Sequence, residues 1–393
     1  MSGRAPDALA LRIVAERSAL TEVGAADLDG PAPAPGRWAQ LEGADHIPPE
    51  VFMPRLAGRL GGAPVPDWAA GSPGAFRGET TLCRVADVRL LPRFGAVIGA
   101  EGQVYAATVG EALSWKPDLA ALPFVRKAGE ARLFAPPADA PRLAGASVFM
   151  AKGGEFNYGH FLLDCLPALL ALEMVGLTAA LPPLGPPLKR WHRDLLALAF
   201  PGLAIRETPA RAVRLDQAAF ATPMDHYLHH PHSLLPRLRE RILAQAPRSG
   251  AGPSRVYISR RAYPMRVMVD EPALEAALAA RGFIIARTEK LSVAEQIALV
   301  RDAQVVVGPT GAGLANALFA PEGARIVEIQ PEIFTSWWLR DLVHLAGGDW
   351  HGYFCPAPTD PSAVAWRYRI RRGFRWGYRL GVEGFVRFLD ERL

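Results

Sequence analysis

Three stretches of this sequence hold residue types whose spacing could do chemistry. In "FNYGHFLLDCLPALL", His160 and Asp164 stand four apart, so on a helix they share one face. A carboxylate beside an imidazole fixes its tautomer and raises its basicity, which suits a general base. Gly153, Gly154, Gly159, Glu155 and Asn157 crowd the same stretch. A lone helical histidine can equally fill a core, and that reading stays open here. In "YISRRAYPMR", Arg260, Arg261 and Arg266 gather guanidiniums that could grip a diphosphate. In "VVVGPTGAGLANALF", Gly308, Gly311 and Gly313 permit tight turns and close backbone approach to a ligand. A helix starting near Gly313 would aim free N–H groups at an anion. Glu328, in the apolar run that follows, could accept ribose hydroxyls or pair with one of the arginines.

The elements that must position these groups are readable from periodicity. "RVYIS" (255–259), "FIIAR" (283–287), "QVVVG" (304–308) and "RIVEI" (325–329) read as strands. Between them lie "DEPALEAALAARG", with Asp270 as N-cap and Gly282 as stop, "SVAEQIALVRDA", with a Ser292–Glu295 capping box, and "GLANALFA". That alternation predicts βαβ units, a parallel sheet and a ligand beyond the carboxyl ends of the strands. Upstream, "LCRVADVRLLP" and "GAVIGAEGQVYAAT" suggest strands and hairpins, and the His160 helix should stop at Gly176. Four segments follow: a loose leader over 1–36 ending in "GPAPAPG", an N-terminal domain over 37–250, a nucleotide-type domain over 251–345, and a basic aromatic segment over 346–393 that could pack back on the N-terminal domain.

Composition narrows the class. The 393 residues, half of them hydrophobic, suffice for two domains with their own cores. Three cysteines form neither a disulfide framework nor a metal spacing, and a reducing compartment is expected. The start of the chain has no signal-peptide core, and no apolar run is long enough to span a bilayer, so a cytoplasmic protein is expected. From Trp366 onward, eight arginines face three acids, a surplus as large as the whole chain's +5. Interleaved aromatics make that tail either a helix packed on the body or a peripheral contact with an anionic membrane face. Nucleic acid is not an expected partner.

Several motifs point elsewhere and are weaker. The glycine run lacks the third glycine of a dinucleotide fingerprint, carrying Asn316 there, and follows the wrong strand for a nicotinamide-dependent oxidoreductase. "DHYLHHPH" (His226, His229, His230, His232) has no helical pair with a following acid, so it makes a poor metal site. Asp27–Asp29 looks like the D-x-D of metal-dependent sugar transferases but has no strand before it.

Taken together, "NYGHFLLDCLPAL", "YISRRAYPMR", "DEPALEAALAARGF" and "LSVAEQIALVRDAQVVVGPTGAGLANALFAPEGARIVEI" resemble glycosyltransferase family 61, over roughly 153–176 and 255–331. The resemblance implies an α/β, GT-B-like architecture, two Rossmann-like domains facing each other across a cleft. It implies an inverting transferase that uses a nucleotide sugar, UDP-linked, with no required cofactor or metal. The acceptor would be a hydroxyl of a glycan, a lipid-linked glycan or a protein. On that likeness Arg260 and Arg266 hold the diphosphate, Thr310, Gly311, Ala312, Gly313 and Asn316 shape phosphate and ribose contacts, Glu328 lies nearby, and His160 and Asp164 face the acceptor. The family often carries His where this chain has Thr310, and Asn-Glu where it has Asp270-Glu271. A non-catalytic nucleotide- or carbohydrate-binding protein of the same fold is the alternative.

Overall fold

A computed structural model of the chain describes residues 8–15, 19–23, 27–28, 36–40, 60–62, 80–109, 118–150, 155–221, 232–248, 252–332, 334–356 and 377–392. The chain forms two compact α/β units. The first holds 1–46, 78–227 and 232–234, and the second 47–77, 228–231 and 235–393.

The first unit is built on a mixed sheet. Its parallel half runs Arg206–Glu207, Pro183–Gly185, Arg142–Val148, Val213–Ala221. Helices Leu166–Met174 and Arg190–Ala199 lie in the connections between these strands. Val213–Ala221 then pairs antiparallel with Thr81–Leu91, which continues through Ala96–Gly99 to Gln103–Tyr105. The expected hairpins are there, because the short links between those strands leave no room for a crossover. Cys83, Val85, Val148, Leu215 and Phe220 fill the core. Arg12–Val14 pairs with Gln103–Tyr105, so part of the segment read as a loose leader is tied into this sheet. The long helix ends at Gly176, whose φ of 77° only glycine adopts easily.

The second unit is a six-stranded parallel sheet ordered Ile284–Ala286, Arg255–Ile258, Val305–Pro309, Arg325–Pro331, Asp349–Cys355, Leu60–Gly62. Val305–Pro309 is buried throughout, as expected for a strand covered on both faces. All four strands read from the sequence are present. The fifth, Asp349–Cys355, lies in the segment read as a basic tail. Counted from Arg255, the first five strands have the order 2-1-3-4-5. Chain progression therefore reverses between Arg255–Ile258 and Val305–Pro309, the crevice where doubly wound sheets bind ligands.

The Ser292–Glu295 capping box is formed, with Glu295 N donating to Ser292 Oγ (3.3 Å) and Ser292 N to Glu295 Oε2 (2.7 Å). Gly282 ends its helix at φ 78°. Asp270 precedes its helix but does not cap it. Its carboxylate instead accepts the backbone N–H groups of Leu380 (2.9 Å) and Gly381 (3.0 Å), which fastens the returning C-terminal chain. From there helix Val382–Arg392 packs Phe385, Phe388 and Leu389 against Tyr353 and Tyr378, all within the second unit. The arginine-rich stretch 366–376 lies outside the described residues. No helix among the described residues is long and apolar enough to cross a membrane.

Candidate active site

In the second unit, the candidate residues converge on the switch point. Arg260 follows the Arg255–Ile258 strand, and the Thr310–Gly313 turn follows Val305–Pro309 beside it. The Arg260 guanidinium lies flat against Gly311, where an added Cβ would stand 1.7 Å from Nη1. Gly311 has an extended φ of 164°, so its glycine is needed for space and not for backbone freedom. Arg260 is further held by Nη2 donating to the Met265 carbonyl (3.3 Å) and by the Tyr263 ring (5.3 Å), while its Nε has no partner among the described residues. Arg266 sits over the Phe334 ring (4.2 Å) and reaches the Thr310 carbonyl (3.5 Å) through Nη2; its Nε is also unpartnered. Its backbone has φ 52°, a left-handed conformation rare for a side chain of this size. Burial, then the like charge of Arg260, pushes the Arg266 guanidinium down to about 10. Two half-buried guanidiniums, each with an Nε that has no partner among the described residues, suit this end of the sheet to an anion.

Arg261, which the sequence groups with these two, turns away. It pairs with Glu275 (3.2 Å), which also accepts the Ser259 hydroxyl (2.7 Å).

The turn itself forms a 3-10 helix over Ala312–Phe319, not the α-helix expected. No side chain caps its start, and the Asn316 amide bonds back to the Gly313 carbonyl (3.0 Å), competing with regular helix geometry. The same amide donates to Gln296 (2.9 Å). Asn316 is buried, and these bonds pin the turn to the Val293–Val300 helix.

Glu328 is not at the end of its strand. The strand continues to Pro331, and Glu328 lies opposite Gly308, fully buried. Its Oε2 accepts from Gln330 (2.8 Å) and Trp350 (3.0 Å). Burial pushes the carboxyl up to about 7, opposed by the Thr310 hydroxyl, Gln330, Trp350 and the charge of Arg266. The Thr310 hydroxyl lies beside this carboxyl without a well-directed hydrogen bond, leaving Thr310 Oγ1 and Glu328 Oε1 both unpartnered. The alternatives read for Glu328 were a ribose contact and an ion pair. Among the described residues it has no ion pair, and the carboxyl attracts Arg266 from beneath the turn.

Tyr378 was not foreseen. Its backbone bonds to Val267 (2.9 Å) and Val269 (2.8 Å) bring its ring under the two arginines, fully buried with an unpartnered hydroxyl. It lies more than a hundred residues from them in sequence, and no spacing announces it.

In the first unit, Asn157 caps the helix by accepting from Gly159 N (2.9 Å) and His160 N (3.3 Å). One π-helical turn, Phe161–Cys165, follows inside the helix, a distortion often found at functional sites. His160 Nδ1 lies 3.1 Å from Asp164 Oδ2, so the expected pair is formed. With Asp164 ionised, Nδ1 is the donor, and Nε2 is the basic nitrogen of that tautomer. Behind them stands His232, which accepts from Leu234 N through Nδ1 (2.9 Å) and meets the Thr80 hydroxyl through Nε2. Burial holds its imidazole down at about 4, although the nearby Asp164 works the other way. His232 is therefore neutral at pH 7. It came from the group discounted as a metal site. His226, His229 and His230 lie outside the described residues, as do Gly153, Gly154 and Asp29.

Comparison with known proteins gives a family-level likeness for the middle of the chain. Residues 158–327 match the family model described as Glycosyltransferase 61. That segment spans both the His160–Asp164 helix and the Arg260–Gly311 turn. No curated protein matches the chain.

Proposed function

Proceeding from a glycosyltransferase enzyme that carries a family 61 domain, we propose that it moves a sugar from a nucleoside diphosphate sugar, UDP-linked, to an acceptor hydroxyl with inversion and without a metal. The observation that carries the reading is the seating of Arg260 on Gly311 at the switch point, with Arg266 beside it and both Nε groups unpartnered. In a GT-B-like division of labour, the second unit holds the donor and the first supplies the base. His160 Nε2 takes the acceptor proton as the acceptor oxygen bonds to the anomeric carbon. The anomeric carbon–phosphate oxygen bond breaks, and its electrons leave with the nucleoside diphosphate. Arg260 and Arg266 meet that growing charge with fixed positive charge, the electrostatic role expected of preorganised donors. Thr310, Glu328 and Asn316 act beneath the turn: the first two set the electrostatics under Arg266, and Asn316 holds Gly311 to Gly313 in place.

The acceptor is a glycan, lipid-linked or protein hydroxyl, reached at the cytoplasmic face of the membrane through 366–393. Flotation with anionic liposomes of the full chain and of a full-length variant with Arg367, Arg369, Arg371 and Arg372 exchanged for Gln tests that last part. A thermal-shift panel of UDP, GDP, CMP and dTDP sugars, followed by transfer assays in EDTA, tests the donor. Stabilisation by none of them, or activity lost in EDTA and restored by a divalent ion, would contradict the proposal.

A further inference from the structure

At the opposite edge of the second unit's sheet, beyond the amino ends of Arg255–Ile258 and Val305–Pro309, lies a cavity of about 840 Å³. Pockets for small ligands run to roughly 300–1,000 Å³. Its wall carries three guanidiniums, Arg239, Arg248 and Arg301, against one carboxylate, Asp302. Two of the arginines are fixed in place. Arg239 Nη2 donates to the Ala320 carbonyl (2.8 Å), and Arg301 Nη1 donates to the carbonyls of Ala246 (3.3 Å) and Pro247 (3.2 Å). Arg239 Nε is buried with no partner. Asp302 is engaged by Gly252 N (3.1 Å), and no ion pair joins it to any of the three arginines among the described residues. A solvated arginine patch would leave its side chains loose and its N–H groups in water. Here the guanidiniums of Arg239 and Arg301 are anchored by neutral carbonyls, which orient them without cancelling their charge.

We propose that this cavity binds a ligand with two or more closely spaced oxyanions, separate from the donor end of the sheet. Phosphate and carboxylate groups both match the guanidinium fork, so two probes separate the sources: inorganic pyrophosphate and a short oligogalacturonate. Each is titrated by calorimetry into the full-length Arg260→Ala chain, in which the diphosphate grip at the carboxyl end of the sheet is disabled, and into the same chain carrying Arg248→Glu or Arg301→Gln. Arg248 is exposed and has no hydrogen bond or ion pair among the described residues, so its reversal should leave the fold intact. Binding of either probe that persists in Arg260→Ala and weakens at least about tenfold when Arg248→Glu or Arg301→Gln is added is expected, the loss of one charge-assisted hydrogen bond. The probe that binds identifies the source. Binding of neither probe at millimolar concentration, or binding indifferent to Arg248→Glu, overturns the proposal.

Discussion

Replacing Gly311 with alanine should separate stability from function at the switch point. The new Cβ would stand 1.7 Å from Arg260 Nη1, 2.8 Å from Cζ and 3.2 Å from Cδ, where ordinary contact begins at 3.4 Å. The backbone has no quarrel with alanine, since its φ of 164° is extended. What must yield is the tip of a flexible side chain, by at least about 1.7 Å for Nη1. The fold should therefore lose little, with a Tm shift of a few degrees or less. Donor binding should suffer, because the displaced guanidinium loses one charge-assisted bond to the diphosphate, worth about 1.5–3 kcal/mol. At about 1.4 kcal/mol per tenfold, UDP affinity should fall about 10- to 100-fold by calorimetry. The route is testable by a double-mutant cycle. In an Arg260→Ala background the same Gly311→Ala change should cost almost nothing, since its target has gone. If Gly311→Ala weakens UDP binding equally in both backgrounds, the glycine acts on the ligand directly and the reasoning from Arg260 fails. If it weakens binding in neither, the turn is not a diphosphate site.

Arg266→Gly should leave stability nearly unchanged, because relief of the φ 52° backbone offsets the lost Phe334 contact, while UDP affinity falls at least about tenfold; a clear drop in Tm with affinity intact would reverse that assignment. His160→Ala should abolish transfer with donor affinity unchanged, and Asp164→Asn, which keeps the shape but not the charge, should lower kcat about 10²- to 10⁴-fold; full activity in either would remove the base from the mechanism. Glu328 gives a pH test. Its folded-state value of about 7 stands above the ordinary 4.5, so the folded protein holds that proton more tightly than the unfolded chain. The associated stability is complete below about pH 4.5, declines as the pH rises to 7, and is gone above it, a change of about 3 kcal/mol. Urea unfolding of Glu328→Gln should lack that decline, and parallel profiles for wild type and variant across the window would show that the carboxyl is not raised.

The sequence made the switch-point site legible because its parts are local. Apolar strands, a glycine turn and an arginine stretch each declare themselves within a dozen residues, and the βαβ alternation brings two of them to one sheet end. What stayed hidden depends on distant chain. Asp349–Cys355, with Trp350, His351 and Gly352 interrupting its apolar run, scans poorly as a strand, and becomes one by adding to an edge already formed. Asp270 is a good N-cap by type, yet Leu380 and Gly381 supply N–H groups that outcompete its own helix. Tyr378 and His232 reach their places through the same long-range returns. These two hidden residues stand behind the two sets of groups that the sequence did reveal, one beneath the arginines and one behind Asp164. Local pattern thus specified the groups proposed to face a ligand, and tertiary closure specified the buried polar residues around them. Thr310 illustrates the difference: by position it belongs to the ligand-facing turn, but its hydroxyl is turned inward onto Glu328, so exchange for valine should raise the Glu328 carboxyl further above 7 before it alters any phosphate contact.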